Sequence, residues 1–187
     1  MPERVPRPAE TARRLQARVR PALAALFALL LYAGVSRPIP AQDLADAPPI
    51  MELSSFPRSA LTLHASDGKG HVFNVWIADT PERQQQGLMF VRDLPAEEGM
   101  LFVHRQPRVA GMWMKNTYIP LDMLFIDARG QVIDIFERTV PHSLATVGSS
   151  RPVKAVLELR GGEVRRRGLR VGDRVDHPAF RAPVRAL

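Results

Sequence analysis

Between Trp113 and Asp122 the chain gathers Lys115, Asn116 and Thr117 at a turn between two apolar runs, residues 109–114 and 121–127. Lysine and asparagine donate hydrogen bonds, aspartate accepts them, and an indole offers a flat face to a sugar ring or a cation. Together these types suit a cleft for a small polar ligand or a cell-envelope partner. They also suit a purely local duty. Asn116 and Thr117 can tie off a turn, while Asp122 accepts turn amides or pairs with Lys115. Glu158 lies between Leu157 and Leu159. Alternation along a strand sets it on the face opposite both leucines, either in solvent or in a pocket shared with Lys115.

Other chemistries draw on the same stretch. Five of the seven methionines fall between Met89 and Met123. On a strand Met112 and Met114 share one face, and with His104 or His142 their thioethers could bind Cu(I). Equally, methionine fills irregular gaps in a core. A cell-envelope hydrolase using the carboxylates of Asp122 and Glu158 with His142 is the enzymatic alternative. Asp127 and Asp134 are further acids from which a pair could be drawn. No G-x-S-x-G elbow and no H-E-x-x-H spacing occurs, so neither a known catalytic motif nor a cofactor is implied. Arg160, Arg165, Arg166, Arg167 and Arg170, set against Glu163, form a basic run. It either touches anionic headgroups or acidic polymer, or is a solvated face. A structural or assembly factor without a pocket is a third possibility, and it predicts an exposed apolar patch.

Short elements must position these groups. Residues 61–65 and 71–78 read as a hairpin around a glycine-rich turn at 67–70. Thr80 and Pro81 open a helix that Gly87 ends after about two turns. Residues 109–114 and 121–127 are the two strands of the polar-turn motif. Residues 131–138 and 153–159 are further strands, and 161–168 is a short helix. The sum is a mainly β domain, a small antiparallel β-sandwich or partly open barrel with one or two short helices. No ten-residue helical stripe separates strand pairs, which disfavours a parallel βαβ sheet.

The domain is expected at 61–178, after a Pro/Ala-rich flexible linker at 42–60 and before a frayed tail at 179–187. Residues 1–41 read as a signal peptide or N-terminal anchor. Six arginines precede an uncharged run at 22–35. Fourteen residues are too few to span a bilayer, which takes about 20, and suit a signal-peptide core. Small residues near Ser36 and Ala41 could end the leader, and Arg13-Arg14 is a weak match to a twin-arginine signal. Export to the periplasm or another extracytoplasmic site follows, with a possible membrane tether.

The 187-residue chain carries a formal charge of +7, but residues 1–41 hold seven arginines and two acids, leaving +2 for the rest. A nucleic-acid partner therefore loses its main support. With no cysteine, disulfides, thiolate nucleophiles and zinc–thiolate sites are excluded, and the exported domain must rely on its core.

Four segments resemble the domain of unknown function 192 family (DUF 192, or uncharacterised protein family 0127). They are Thr80-Pro81-Glu82-Arg83 with Gly87-Leu88-Met89, then Gly99-Met100-Leu101-Phe102. The third is Met112-Trp113-Met114-Lys115-Asn116-Thr117 with Ile119-Pro120-Leu121-Asp122 and Phe125-Ile126-Asp127. The last is Leu157-Glu158-Leu159 with Gly168 and Gly172-Asp173. The resemblance implies a small, mainly β domain, often exported or membrane-tethered in bacteria. It implies no established activity and so lends no catalytic residue.

Overall fold

A computed structural model describes residues 50–181. The expected leader, most of the linker and the last six residues of the expected tail lie outside the described residues. Nine strands run in the order β1 (Arg58–His64), β2 (Gly70–Ala78), β3 (Glu98–Arg108), β4 (Gly111–Met112), β5 (Leu121–Ile126), β6 (Val132–Thr139), β7 (Val147–Gly148), β8 (Val153–Arg160) and β9 (Arg174–Asp176). Two short helices join them, α1 (Pro81–Gln86) and α2 (Glu163–Arg167). Seven strands form one sheet in the order β6-β5-β8-β3-β2-β1-β9, and β4 pairs with β7 as a separate ribbon.

The sheet curls until its edges meet. Gln131, just before β6, bridges Arg174 of β9. The Val175 amide donates to the Gly130 carbonyl at 2.7 Å and the Val132 amide to the Asp173 carbonyl at 2.9 Å. Gly130 makes this approach possible, because its φ is +81° and a Cβ there would sit 2.6 Å from the Val175 carbonyl oxygen. The partly open barrel expected from the sequence is thus the observed form. Every strand of the sheet sends apolar side chains inside, among them Leu61, Phe73, Leu101, Leu124, Val132, Leu157 and Val175.

One element departs from the expected antiparallel pattern. β2 and β3 pair in parallel, joined by the crossover that carries α1. Thr80 caps that helix, its Oγ1 accepting from the Arg83 amide at 3.3 Å. A helix of six residues leaves too faint a periodic trace to announce a crossover.

A second apolar layer covers the barrel's outer face. It includes Met100, Phe102, Met123, Phe125 and Val156 from the strands. Phe56, Leu88, Leu94, Ala110 and Met114, from connecting segments, pack onto them. This double burial explains two corrections at the polar turn. Residues 121–126 are buried throughout, so β5 needs neighbours on both sides and takes them from β6 and β8. Residues 109–114 do not form its hairpin partner; only Gly111–Met112 is extended, and it pairs with β7. Exposed Val109 and Trp113 keep that segment at the surface. The domain also starts and ends beyond the expected limits. β1 begins at Arg58 and Phe56 is buried, while Phe180, expected to fray, packs against the inner core.

Candidate functional site

Strand alternation on β8 builds the site. Ala155, Leu157 and Leu159 enter the barrel, while Val156 belongs to the outer layer. Glu158 shares the face of Val156, so it does lie opposite both leucines. That face is not wet. Glu158 stands between Met100 of β3 and Met123 of β5 and is only 3% exposed. The segment from Gln84 to Met89 and the turn after β4 close over it. They leave a cavity of about 80 Å³ whose walls also include Phe102, Met112, Trp113, Lys115 and Thr117.

Among the described residues four acids are buried: Asp122, Glu158, Glu163 and Asp173. Three are fully provided for. Asp122 accepts from the amides of Arg138, Gly162 and Val164 at 2.7, 2.9 and 2.8 Å. Glu163 accepts from Arg166 Nε and Arg167 Nε, each at 3.0 Å. Asp173 accepts from the amides of Ser66 and Arg170, each at 2.8 Å. Burial is the single influence on the ionisation of Glu158, with no hydrogen bond and no neighbouring charge to favour the anion. Its carboxyl is accordingly pushed up to about 8, so at neutral pH it holds its proton. A desolvated carboxyl without a partner, facing a cavity, is the signature of a site rather than of a scaffold.

The mouth of the cavity carries the opposite charge. Lys115 is exposed and its Nζ lies 5.2 Å from the Trp113 ring centroid. Among the described residues it makes no ion pair, and its ammonium rests against the indole in a cation–π contact. Trp113 is 46% exposed. Thr117 is buried beneath them, its Oγ1 donating to the Lys115 carbonyl at 3.3 Å. Asn116 holds the rim through its backbone. It adopts φ +55°, its carbonyl accepts from the Phe90 amide at 2.9 Å, and its Nδ2 lies 4.0 Å from the Met89 sulfur.

Strain gathers here. Among the described residues four non-glycines have positive φ: Phe90, Asn116, Arg138 and His142. Three of them meet around the 116–118 turn. Phe90 bonds Asn116, His142 donates its amide to the Thr117 carbonyl at 3.2 Å, and Tyr118 packs between the rings of Phe90 and His142 at 6.0 and 5.3 Å. Bulky residues in the left-handed region persist only where surrounding contacts over-determine them.

The structure therefore brings Trp113, Lys115, Asn116, Thr117 and Glu158 together and removes Asp122. By alternation Asp122 shares the face of Leu124 and Ile126, which point inside, whereas Glu158 points outside. The two carboxylates lie on opposite faces of the sheet, and the hydrolase that paired them with His142 is overturned. The methionine pair also divides. Met114 is sealed in the outer core with Thr139 Oγ1 at 3.1 Å from its sulfur, and Met112 alone reaches the cavity. Among the described residues no group of three His, Asp or Glu side chains is placed to hold a metal ion. The basic run is partly internal: Arg167 is 11% exposed on its side chain, bound to Glu163 and stacked over Phe73 at 4.5 Å.

Sequence reasoning missed Gln84, Gly87, Met89 and Phe102 as cavity walls. Gly87 was legible as a helix end, and the structure gives it a second duty. Its φ is +52° and a Cβ would lie 2.9 Å from the Phe102 ring, so only glycine lets this segment close down. A wider groove of about 770 Å³ passes His104, Arg105 and Arg108. Its arginines are exposed and its Asp79 pairs with Arg83 at 2.8 Å. Its buried imidazole, lowered to about 4 mainly by burial and then by Arg108 and Lys154, is uncharged at neutral pH. The Nε2 of that imidazole is buried without a hydrogen-bond partner.

The chain is similar to two solved structures. One is a Sinorhizobium meliloti 1021 protein described as a candidate transcription regulator. It is 42% identical, with a TM-score of 0.66, over 67% of this chain and 97% of that one. The other is a Novosphingobium aromaticivorans DSM 12444 protein of unknown function. It is 37% identical, with a TM-score of 0.65, over 71% of this chain and 94% of that one. No curated protein matches the chain. The DUF192 family model, described as an uncharacterized ACR, matches residues 62–177, a span that holds the whole Glu158 pocket and its rim, and the chain belongs to that family.

Proposed function

We propose that this chain is an exported binding domain that takes a small polar ligand into the pocket over Glu158, with Trp113, Lys115 and Thr117 at its mouth. One observation carries the reading: of the four acids buried among the described residues, only Glu158 lacks a partner, and it faces a cavity. An unpaired ammonium at the mouth and backbone strain around the rim support it. The regulator description of the Sinorhizobium meliloti relative stays with that protein. Here the chain beyond the leader carries only +2, and two arginines of its densest basic run are committed to Glu163.

Thermal-shift screening of glycans and metabolites against the full chain and the W113A, K115A and E158Q variants tests the site. At least one compound should stabilise the native protein and lose that effect in the variants. Ligand-induced shifts that persist unchanged in all three rule the pocket out.

A further inference from the structure

We infer that the ligand enters this pocket through a carboxylate head that takes a hydrogen bond from the Glu158 carboxyl, with the Lys115 ammonium at the mouth and the rest of the molecule lying outside against Trp113. The inference rests on the Glu158 pocket being the binding site and adds the ligand's chemical class.

Size limits what can reach the floor. A cavity of about 80 Å³ is well below the roughly 300–1,000 Å³ of pockets that take in a whole drug-sized ligand. A planar three-atom head suits it. The body of a larger ligand must stop at the mouth, where the half-exposed indole of Trp113 is the flat surface on offer.

Charge selects the sign. Glu158 and Lys115 are the only titratable side chains among the residues that line the cavity, which come from α1, the segment after it, β3, β4, the turn that follows and β8. With Glu158 holding its proton at neutral pH, the walls carry one positive charge, that of Lys115. A neutral carboxyl is then a donor. An O–H donated to a carboxylate oxygen is among the shorter and stronger hydrogen bonds, and Lys115 supplies the countercharge. A cationic head would meet a protonated acid and an ammonium. It would have to strip the proton from Glu158 and displace Lys115 before it could bind. No covalent step is involved. The proton stays on Glu158 and the ligand arrives and leaves as the anion.

Acetate and methylammonium, each titrated into the full chain at constant ionic strength, test this. Melting temperature and Trp113 fluorescence are the readouts, with W113F to identify the signal. At pH 6.5 acetate should stabilise the wild type, and K115M should weaken it at least tenfold. At pH 9.5 acetate binding should disappear from the wild type, where Glu158 is ionised. In E158Q it should survive at both pH values, because the amide still donates. That rescue cannot come from a merely structural glutamate. Stabilisation by methylammonium that requires Glu158 overturns the carboxylate and leaves the pocket standing as a cation site. Acetate binding indifferent to K115M also overturns it. Silence from both probes in every protein sinks the carboxylate head. The pocket then falls only if the broader screen is silent as well.

Discussion

Replacing Glu158 by glutamine should change how stability depends on pH, and the change can be worked from the burial of one carboxyl. The ordinary glutamate value of 4.5 applies to the unfolded chain, and burial pushes the native value up to about 8. Between these limits the native protein binds a proton that the unfolded chain has released. Stability from this group is therefore complete below pH 4.5 and falls by about 1.4 kcal/mol per pH unit until it levels above pH 8. The full span is about 5 kcal/mol, an upper bound because water entering the ionised pocket would soften it. His104 acts in the opposite sense. Its native value is lowered to about 4, so the unfolded chain binds the extra proton and stability rises by up to about 3 kcal/mol as pH climbs from 4 to 6.5. His177, lowered mainly by burial, has the same sign.

The Glu158 and His104 slopes cancel between about pH 4.5 and 6.5, so only the rise from His177 should remain there, and the wild type should then lose about 2 kcal/mol by pH 8. E158Q should instead rise to pH 6.5 and stay level. The difference between the two proteins isolates Glu158 whatever the histidines do. Urea unfolding followed by tryptophan fluorescence, repeated at half-unit steps from pH 4.5 to 8.5, measures it. Parallel curves would show that Glu158 ionises freely in the native state, and the argument from its isolation would collapse.

Three further outcomes follow from neighbouring geometry. D122A should lose about 3–5 kcal/mol in urea unfolding, because it strands the amides of Arg138, Gly162 and Val164, each orphan costing about 1–3 kcal/mol; D122N, still an acceptor, should lose less. G130A should cost about 2 kcal/mol or more and speed hydrogen exchange at the Val132 and Val175 amides, since it forces a methyl group against the Val175 carbonyl at positive φ. W113A should leave the urea midpoint nearly unchanged, within about 0.5 kcal/mol for a surface side chain, while abolishing most of the ligand-induced thermal shift.

What the sequence made legible was local. Thr80, Pro81 and Gly87 announce α1 because a cap, a fixed φ and a left-handed terminus are decided by adjacent residues. The alternation of β8 also held, placing Glu158 opposite Leu157 and Leu159. What failed depended on partners far along the chain. Nothing within 157–159 says that the outer face is roofed by residues 84–89, so a buried acid looked like a solvated one. Asp122 misled for the same reason: its three amide donors come from 138, 162 and 164. Proximity in sequence to Lys115 suggested a shared site, and a one-residue change of parity along β5 put it on the other face. The positive φ of Phe90, Arg138 and His142 had no sequence signal, because such residues are held there by tertiary contacts alone.

The identity of the side chain at 158 is the sharpest evidence that the pocket is more than packing. Its cross-strand neighbours are Met100 and Met123, so a third thioether would complete the layer with no polar atom to desolvate. Keeping a carboxyl protonated there at pH 7 instead costs about 3 kcal/mol relative to the unfolded chain, by the same linkage that sets the pH slope. A ligand present at a hundred times its Kd returns about 2.7 kcal/mol, nearly the same amount. The apo protein should therefore be measurably softer around β8 than its close-packed strands suggest, and occupancy should restore what the buried acid withholds.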